Sequence, residues 1–153
     1  MKVLSAIFTV LLIFSLSACS ENKQENKNIK ENELFELNQS MEDSETLKIV
    51  TEKEKYSAED TVIRYSITNV GDTEGCIAGD DHCFTLQILK DGEWMRVGTK
   101  IEQYWNELAL ILPAGQTENR EINLNEYFHL PLEKGEYRIA VENLVSNTFE
   151  ISS

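Results

Sequence analysis

Apolar and polar residues alternate along much of the chain from residue 44 to residue 153. Three runs show the period of two that is expected of a half-buried strand, and they lie at residues 61–69, 84–90 and 137–142. In the first run, Ile63, Tyr65 and Ile67 share one side. Because successive side chains point to opposite faces of a sheet, the pattern predicts an all-β domain with one buried face per strand.

Turn residues separate the alternating runs. Asp91-Gly92 follows the second run, and both residues tolerate the positive φ of a two-residue hairpin turn. Residues 101–112 also fit a helical stripe, but their short apolar end and the following Pro113 favour a loop and then a strand. With one helical turn predicted at 125–129, we expect seven or eight strands and almost no helix.

The first 18 residues read as a leader that is not part of the domain. Lys2 precedes an uncharged, mostly apolar run over residues 3–18, which is typical of a secretory signal and short for a membrane-spanning helix. The run ends in Leu16-Ser17-Ala18-Cys19, which resembles the bacterial lipobox. The resemblance implies cleavage before Cys19, a diacylglycerol on its sulfur, and a protein that is lipid-anchored on the extracytoplasmic face of the cell membrane. The alternative is an ordinary signal peptide, with Cys19 incidental.

Residues 20–43 read as a charged linker. Five of these 24 residues are apolar, too few to bury surface that would offset the entropy of ordering. We therefore predict that Cys19 and a flexible tether, residues 19–43, precede a domain at 44–153. A transient helical turn or docking on the domain are the alternatives for the segment ELFEL at 33–37.

The net charge narrows the choice of partners. The chain has 14 Lys and Arg against 27 Asp and Glu, a formal net charge of −13, which repels the phosphates of nucleic acid. An acidic body is not drawn to an anionic bilayer either, so lipid would have to supply the membrane attachment. The sequence holds no recognisable nucleophile–base pair, metalloprotease motif or phosphate-binding glycine loop. We therefore predict that the protein is not an enzyme and has no cofactor.

A series of short motifs in residues 44–153 resembles the bacterial Ig-like domains of secreted proteins and lipoproteins. In chain order they are Tyr56-Ser57-x-x-Asp60, Ile67-Thr68-Asn69, Phe84-x-Leu86, Asp91-Gly92-x-Trp94, Leu112-Pro113-x-Gly115, Tyr127, Leu132-x-x-Gly135-x-Tyr137-Arg138-Ile139 and Phe149-Glu150-Ile151. The resemblance implies an immunoglobulin-like β-sandwich and an extracytoplasmic location, and no particular activity. The sequence departs from the family pattern in residues 72–83, which contain two Cys.

Four aromatic residues receive predicted roles. Tyr137 at the start of a late strand suits a tyrosine corner, with a buried ring and a hydroxyl bonded to nearby backbone. Trp94 is expected to cover the edge of the core. Tyr104 and Trp105 either plug one end of the sandwich or form a contact patch, and both interpretations stay open.

The candidate chemistry lies in the loop that reads DTEGCIAGDDHC. In an exported protein, Cys76 and Cys83 are predicted to form a disulfide that stabilises the fold by about 2 kcal/mol. Asp80, Asp81 and His82 would then belong to a solvated loop that is a candidate for binding. A metal site is the weaker alternative, because adjacent His and Cys are awkward joint ligands of zinc and no calcium-loop motif is present.

These features support two functions from different classes. The preferred hypothesis is a non-enzymatic, membrane-tethered Ig-like module that binds an unknown envelope or extracellular protein or a glycan through a strand edge or its end loops. The alternative is an inhibitor of secreted proteases, because a small proteinase-inhibitor family has a similar β-sandwich with comparable strand and Pro-Gly motifs. A metal-binding envelope protein is a third and weaker hypothesis.

Overall fold

The computed structural model describes residues 32–37, 45–103 and 108–152. These residues form twelve strands and one four-residue helix. Their bounds are β1 (Leu34–Glu36), β2 (Leu47–Thr51), β3 (Lys55–Ser57), β4 (Val62–Asn69), β5 (Gly75–Ala78), β6 (Thr85–Lys90), β7 (Glu93–Val97), β8 (Ala109–Leu112), β9 (Thr117–Asn123), α1 (Leu124–Tyr127), β10 (Gly135–Val141), β11 (Leu144–Val145) and β12 (Phe149–Ser152).

The all-β prediction is confirmed, but the number of strands was underestimated. Four strands have no counterpart among the predicted ones: β1, β3, β5 and β11. Each is two to four residues long, which is too short to show an alternating pattern. Three of them, β1, β3 and β5, pair with strands distant in sequence, as in the parallel pair of β3 with β12, whereas β11 pairs with the neighbouring β10.

The strands form two sheets and a ribbon. One sheet has the order β1-β7-β6-β10-β12-β3, with β11 beside β10, and the other has the order β2-β4-β9. The ribbon pairs β5 with β8. Within the described ranges, no helix is long and apolar enough to cross a membrane.

The buried faces of the two sheets supply one hydrophobic core. On β4 the alternating residues Ile63, Tyr65 and Ile67 are buried, and Arg64 between them is exposed. The same pattern places Tyr137 and the following alternate residues of β10 in the core. Packing side chains from both sheets against each other removes apolar surface from water, which is the main favourable term for a fold of this size.

The turn between β6 and β7 has the predicted hairpin geometry. Asp91 has a φ of 51° and Gly92 a φ of 88°, as a type I′ turn requires at both central positions. The turn sets Lys90 opposite Glu93 and Ile88 opposite Met95. Local turn chemistry therefore fixes the register of the two strands.

The outer face of the larger sheet carries a polar stack that the alternation alone does not predict. Gln87 is fully buried although its two neighbours occupy the core face. The Arg138 Nε donates to Gln87 Oε1 at 2.7 Å, and the Arg138 guanidinium lies 4.2 Å from the centre of the Trp94 ring. Trp94 therefore packs over Arg138 on the outer face, and does not cover the core edge as expected.

The segment 32–37 is docked on the domain, which is the alternative that the sequence disfavoured. Strand β1 pairs antiparallel with β7, and Gly98 N donates to Glu33 O at 2.6 Å. Asn32 exchanges two hydrogen bonds with the backbone of His129, each 2.8 Å long. The Arg96 guanidinium lies 4.9 Å from the centre of the Phe35 ring. Hydrogen bonds and ring stacking hold the segment 32–37 in place. Docking therefore did not require the apolar residues that the linker lacks.

Tyr137 has the geometry of a tyrosine corner. Its ring is buried, and its hydroxyl donates to Glu133 O at 2.7 Å, four residues upstream. Burial raises the pKa of this hydroxyl. Tyr65 offers a contrast, because its buried hydroxyl makes no hydrogen bond of good geometry with any described residue, although the Arg120 guanidinium is nearby.

The two tyrosines predict opposite responses to loss of the hydroxyl. Tyr137→Phe is expected to lower the free energy of unfolding by about 1 kcal/mol, since it removes a satisfied hydrogen bond. Tyr65→Phe is expected to leave that free energy unchanged or to raise it, since it removes a buried polar group that makes no hydrogen bond of good geometry. Urea unfolding at neutral pH measures both changes. Equal losses for the two variants would contradict the assignment.

Candidate functional site

The residues 79–83 form a tight loop that is held from inside the domain. Gly79 has a φ of +89°, and a Cβ at this position would lie 2.5 Å from Cys83 Sγ, so the loop requires glycine here. Asp80 Oδ1 accepts a hydrogen bond from His82 N at 2.9 Å and lies 3.6 Å from Cys83 Sγ. Cys83 N donates to Asp80 O at 3.0 Å. These local hydrogen bonds fix the conformation of the loop between Asp80 and Cys83.

A buried arginine supports the loop from the smaller sheet. Arg120 lies on β9, its side chain is 3% exposed, and its Nη1 donates to Asp80 O at 3.0 Å. Its Nε lies 3.4 Å from Asp81 Oδ1, but the Asp81 side chain is 68% exposed, and the Nε forms no hydrogen bond of good geometry with any described residue. The ion pair is therefore screened by solvent on one side, and the backbone contact is the better-defined restraint.

Two further residues hold the other side of the loop. His82 Nδ1 is hydrogen-bonded to the Tyr127 hydroxyl of α1. Gln103 Nε2 lies 3.2 Å from His82 O and 3.3 Å from Phe84 O. Burial raises the pKa of the Tyr127 hydroxyl, and the carboxylates of Glu126, Asp80 and Asp81 act in the same direction. The loop therefore presents Asp81 and His82 to solvent from a fixed framework.

Part of this site was predicted from the sequence and part was not. Asp80, Asp81 and His82 do lie together, whereas Arg120 and Tyr127 were missed. The sequence did contain one indication of Arg120. Arg120 lies two residues before Ile122 and therefore on the same, inward face of β9. A charged residue on a buried face indicates a specific polar partner.

The two cysteines of the region are not joined as the sequence predicted. Both are free in the structure, with Cys76 exposed and Cys83 buried. Cys76 lies on the exposed side of β5 opposite Ile111, whereas the neighbouring Ile77 is buried. Cys83 is turned inward at the end of the loop, so the two side chains belong to different environments. The ribbon pairing of β5, which the sequence did not reveal, is the physical reason.

Other predicted positions are not all covered by the structure. Tyr104, Trp105 and Cys19 lie outside the described residues, so the contact patch and the lipidation remain predictions. In the described part of the chain, no group of three or more His, Cys, Asp or Glu side chains is arranged to hold a metal ion. The structure therefore offers no described ligand set for the metal alternative.

A groove of about 750 Å³ lies beside the loop on the smaller sheet. Its lining includes Arg64, whose guanidinium lies 3.7 Å from Glu52 Oε2 and 3.2 Å from Glu121 Oε2. All three side chains are more than half exposed. Because these charges already pair with one another in solvent, the groove has the character of a solvated sheet face.

The buried hydroxyl of Tyr65, close to the loop, makes the stability of the fold depend on pH. Burial raises the pKa of its hydroxyl from 10.0 to about 12, although the nearby Arg120 guanidinium opposes the shift. Because this pKa is higher in the folded state, the folded chain retains the proton longer than the unfolded chain. The associated stability is present below pH 10 and is lost as the pH rises toward 12.

The alkaline limb of the stability curve therefore depends on Tyr65. We expect wild type to lose about 2 kcal/mol more than Tyr65→Phe between neutral pH and pH 12, because the folded pKa lies about two units above the unfolded one and the folded hydroxyl is itself half ionised at pH 12. Urea unfolding of both proteins over this pH range measures the difference. Parallel curves for the two proteins would show that Tyr65 does not titrate with unfolding.

The two-sheet fold with its tyrosine corner defines an immunoglobulin-like β-sandwich. The sequence profile of the bacterial Ig-like domain family matches residues 43–151. The chain belongs to this family. An Ig-like domain is generally a non-enzymatic module, and the comparison assigns it no ligand. Comparison with curated proteins finds no match.

The solved structures that the chain matches include two β-glucosidases. A β-glucosidase from Erythrobacter marinus is 18% identical, with a TM-score of 0.37, and the match covers 69% of this chain and 15% of that enzyme. A β-glucosidase from Listeria innocua in complex with gluconolactone is 16% identical, with a TM-score of 0.39, covering 70% of this chain and 16% of that one.

A third structure is the alkylpurine DNA glycosylase AlkC from Pseudomonas fluorescens, bound to DNA containing an abasic site analog. It is 13% identical, with a TM-score of 0.39, and the match covers 71% of this chain and 31% of that one. The chain thus spans less than a third of each of these proteins. At such TM-scores the likenesses carry no conclusion about this chain.

Proposed function

We propose that the protein is an extracytoplasmic lipoprotein whose Ig-like domain is a non-catalytic binding module at the cell envelope. One observation carries the proposal: an apolar leader ending in Leu16-Ser17-Ala18-Cys19 precedes a bacterial Ig-like domain at residues 43–151. A leader of this kind supports export and lipid attachment at Cys19. A non-catalytic domain held at the membrane acts by binding.

The loop 79–83 is the binding surface that we propose for this module. Asp81 and His82 are exposed, and contacts from the buried Arg120 and Tyr127 hold them in place. A loop that is already ordered loses less conformational entropy on binding than a mobile one. An envelope protein or a glycan is the partner class that fits an exported module of this kind.

Crosslinked capture from cells tests the proposal. The full chain carrying Asp81→Ala and His82→Ala is compared with wild type and with a control carrying Asp72→Ala and Thr73→Ala, which are exposed residues outside the loop. We expect the loop variant to recover about tenfold less of the specific partner, as loss of a contact of about 1.4 kcal/mol would give. Equal recovery by all three proteins would remove the loop from the binding surface.

A further inference from the structure

The docked strand β1 determines where the amino-terminal tether enters the domain. Asn32 and Glu33 are held against His129 and Gly98. A tether that did not dock would reach the domain at β2, where Thr46 O accepts hydrogen bonds from Val70 N and Gly71 N. Docking therefore moves the point of entry from the start of β2 to the edge of β7.

The number of residues between the anchor and the domain sets the reach of the two arrangements. Twelve residues, 20–31, separate Cys19 from Asn32, and they span at most about 45 Å in any conformation. Without docking, 25 residues, 20–44, would separate Cys19 from Glu45, with a limit of about 90 Å. The docked strand thus halves the largest distance between an anchor at Cys19 and the domain.

A chain of contacts connects the point of entry to the loop 79–83. Asn32 bonds to the backbone of His129, two residues after Tyr127. Lys100 N donates to Tyr127 O at 2.7 Å, and the Tyr127 hydroxyl is bonded to His82. We call the surface formed by residues 80–83, 98–103 and 126–130 the loop face. The tether arrives at this face.

We infer that β1 turns the loop face toward the membrane, so that the partner of this face is an integral membrane protein. The inference rests on the lipid anchor of the proposed function. Every connection from an anchor at Cys19 reaches the domain beside the loop face. The start of β7, by contrast, lies five residues from Gly98 along the strand, about 17 Å away.

The charge of the loop face favours a protein over the lipid surface as partner. Its exposed acidic side chains are Asp81, Glu102 and Glu126, with Lys100 as an exposed cation. An acidic face is repelled by anionic lipid headgroups. It is complementary to a cationic extracytoplasmic surface of a membrane protein. The half-exposed Ile101 adds an apolar contact to the same face.

Energy transfer to the membrane tests the orientation. The full lipidated chain, with Cys76→Ser, carries a donor dye at Ile101→Cys on the loop face or at Glu93→Cys at the start of β7. It is reconstituted into vesicles with an acceptor in the headgroup layer. We expect stronger transfer from position 101 than from position 93. Equal transfer, or stronger transfer from position 93, would overturn the inference.

Undocking variants show whether β1 is the cause. Asn32→Ala combined with Phe35→Ala removes the hydrogen bonds of the Asn32 side chain to His129 and the stacking of Phe35 on Arg96, and leaves β7 intact. Gly98→Val is an independent variant, because a Cβ at Gly98 would lie 2.7 Å from Phe35 Cε2. Both are expected to abolish the difference between the two dye positions, whereas Glu36→Gln should retain it. A difference that survives undocking in variants with normal circular dichroism would contradict the role of β1.

A photo-crosslinker at the same two positions tests the partner class in cells. We expect an adduct with an integral membrane protein from position 101, none from position 93, and loss of the adduct in the Asn32→Ala, Phe35→Ala variant. Adducts only with lipid or with cell-wall glycan would overturn the partner assignment. The amount of the chain in the membrane fraction is measured first. A chain absent from the membrane fraction refutes the proposed function and this inference together, while a recovered chain with equal dye signals refutes the inference alone.

Discussion

Gly79→Ala is expected to lower the free energy of unfolding by about 3 kcal/mol. Alanine at a φ of +89° is strained by about 1 kcal/mol, and overpacking of a closed site adds about 1–3 kcal/mol. The added Cβ would meet Cys83 Cβ at 2.4 Å and Sγ at 2.5 Å. Because both contacts are close to the backbone of a buried residue, the loop must shift to relieve them.

Gly115→Ala is the matched control for this prediction. Gly115 has a φ of +74°, but a Cβ added there would meet no described atom within 4 Å, so the control carries the backbone strain without the clash. We expect it to lose about 1 kcal/mol. Urea unfolding of the two variants measures the difference, and the His82 and Tyr127 resonances report the loop. If both variants lost the same free energy, the fit of Gly79 against Cys83 would not matter to stability.

Cys19→Ser is expected to abolish lipid attachment completely. If the sulfur of Cys19 carries the acyl chains, a serine hydroxyl cannot replace it as the thioether-forming atom. Each buried CH₂ contributes about 0.8 kcal/mol to membrane binding, so loss of two chains removes the anchor. An alkyne fatty acid should label the wild-type chain and leave Cys19→Ser unlabelled.

Cys76→Ser is the control variant, because Cys76 is a second, exposed cysteine that could also be labelled. It should retain the label, and its intact mass should begin at Cys19 and include the lipid. The Cys19→Ser chain should retain residues 1–18 if lipid attachment precedes cleavage. Label on Cys19→Ser, or an unlabelled wild-type chain, would contradict the lipoprotein assignment and with it the membrane location of the module.

The sequence predicted those parts of the fold that neighbouring residues determine by themselves. The alternation of Ile63, Tyr65 and Ile67 selected the buried face of β4, because a one-residue slip would expose all three. Asp91-Gly92 selected its turn, because few residues accept positive φ at both positions. The bacterial Ig-like family followed from the order of such local signals along the chain.

Prediction was wrong or incomplete where a residue depends on a distant partner. Gln87 is buried on the outer face, where Arg138 bonds to its side chain and in turn stacks on Trp94. Cys76 and Cys83 are separated because β5 pairs with β8, which places Cys76 on an exposed side. No pattern within six or seven residues encodes either arrangement, since both are set by contacts between strands.

The sequence by itself determined an all-β domain, its main strands, its hairpin and an acidic net charge. Short-range sterics, alternation and composition decide these features without reference to the rest of the chain. The tertiary structure alone decided that β1 docks on β7 and that Arg120 and Tyr127 hold the loop 79–83. Those features need hydrogen-bond geometry between residues tens of positions apart, and the favourable free energy of each contact exists only once the sandwich has brought its partners together.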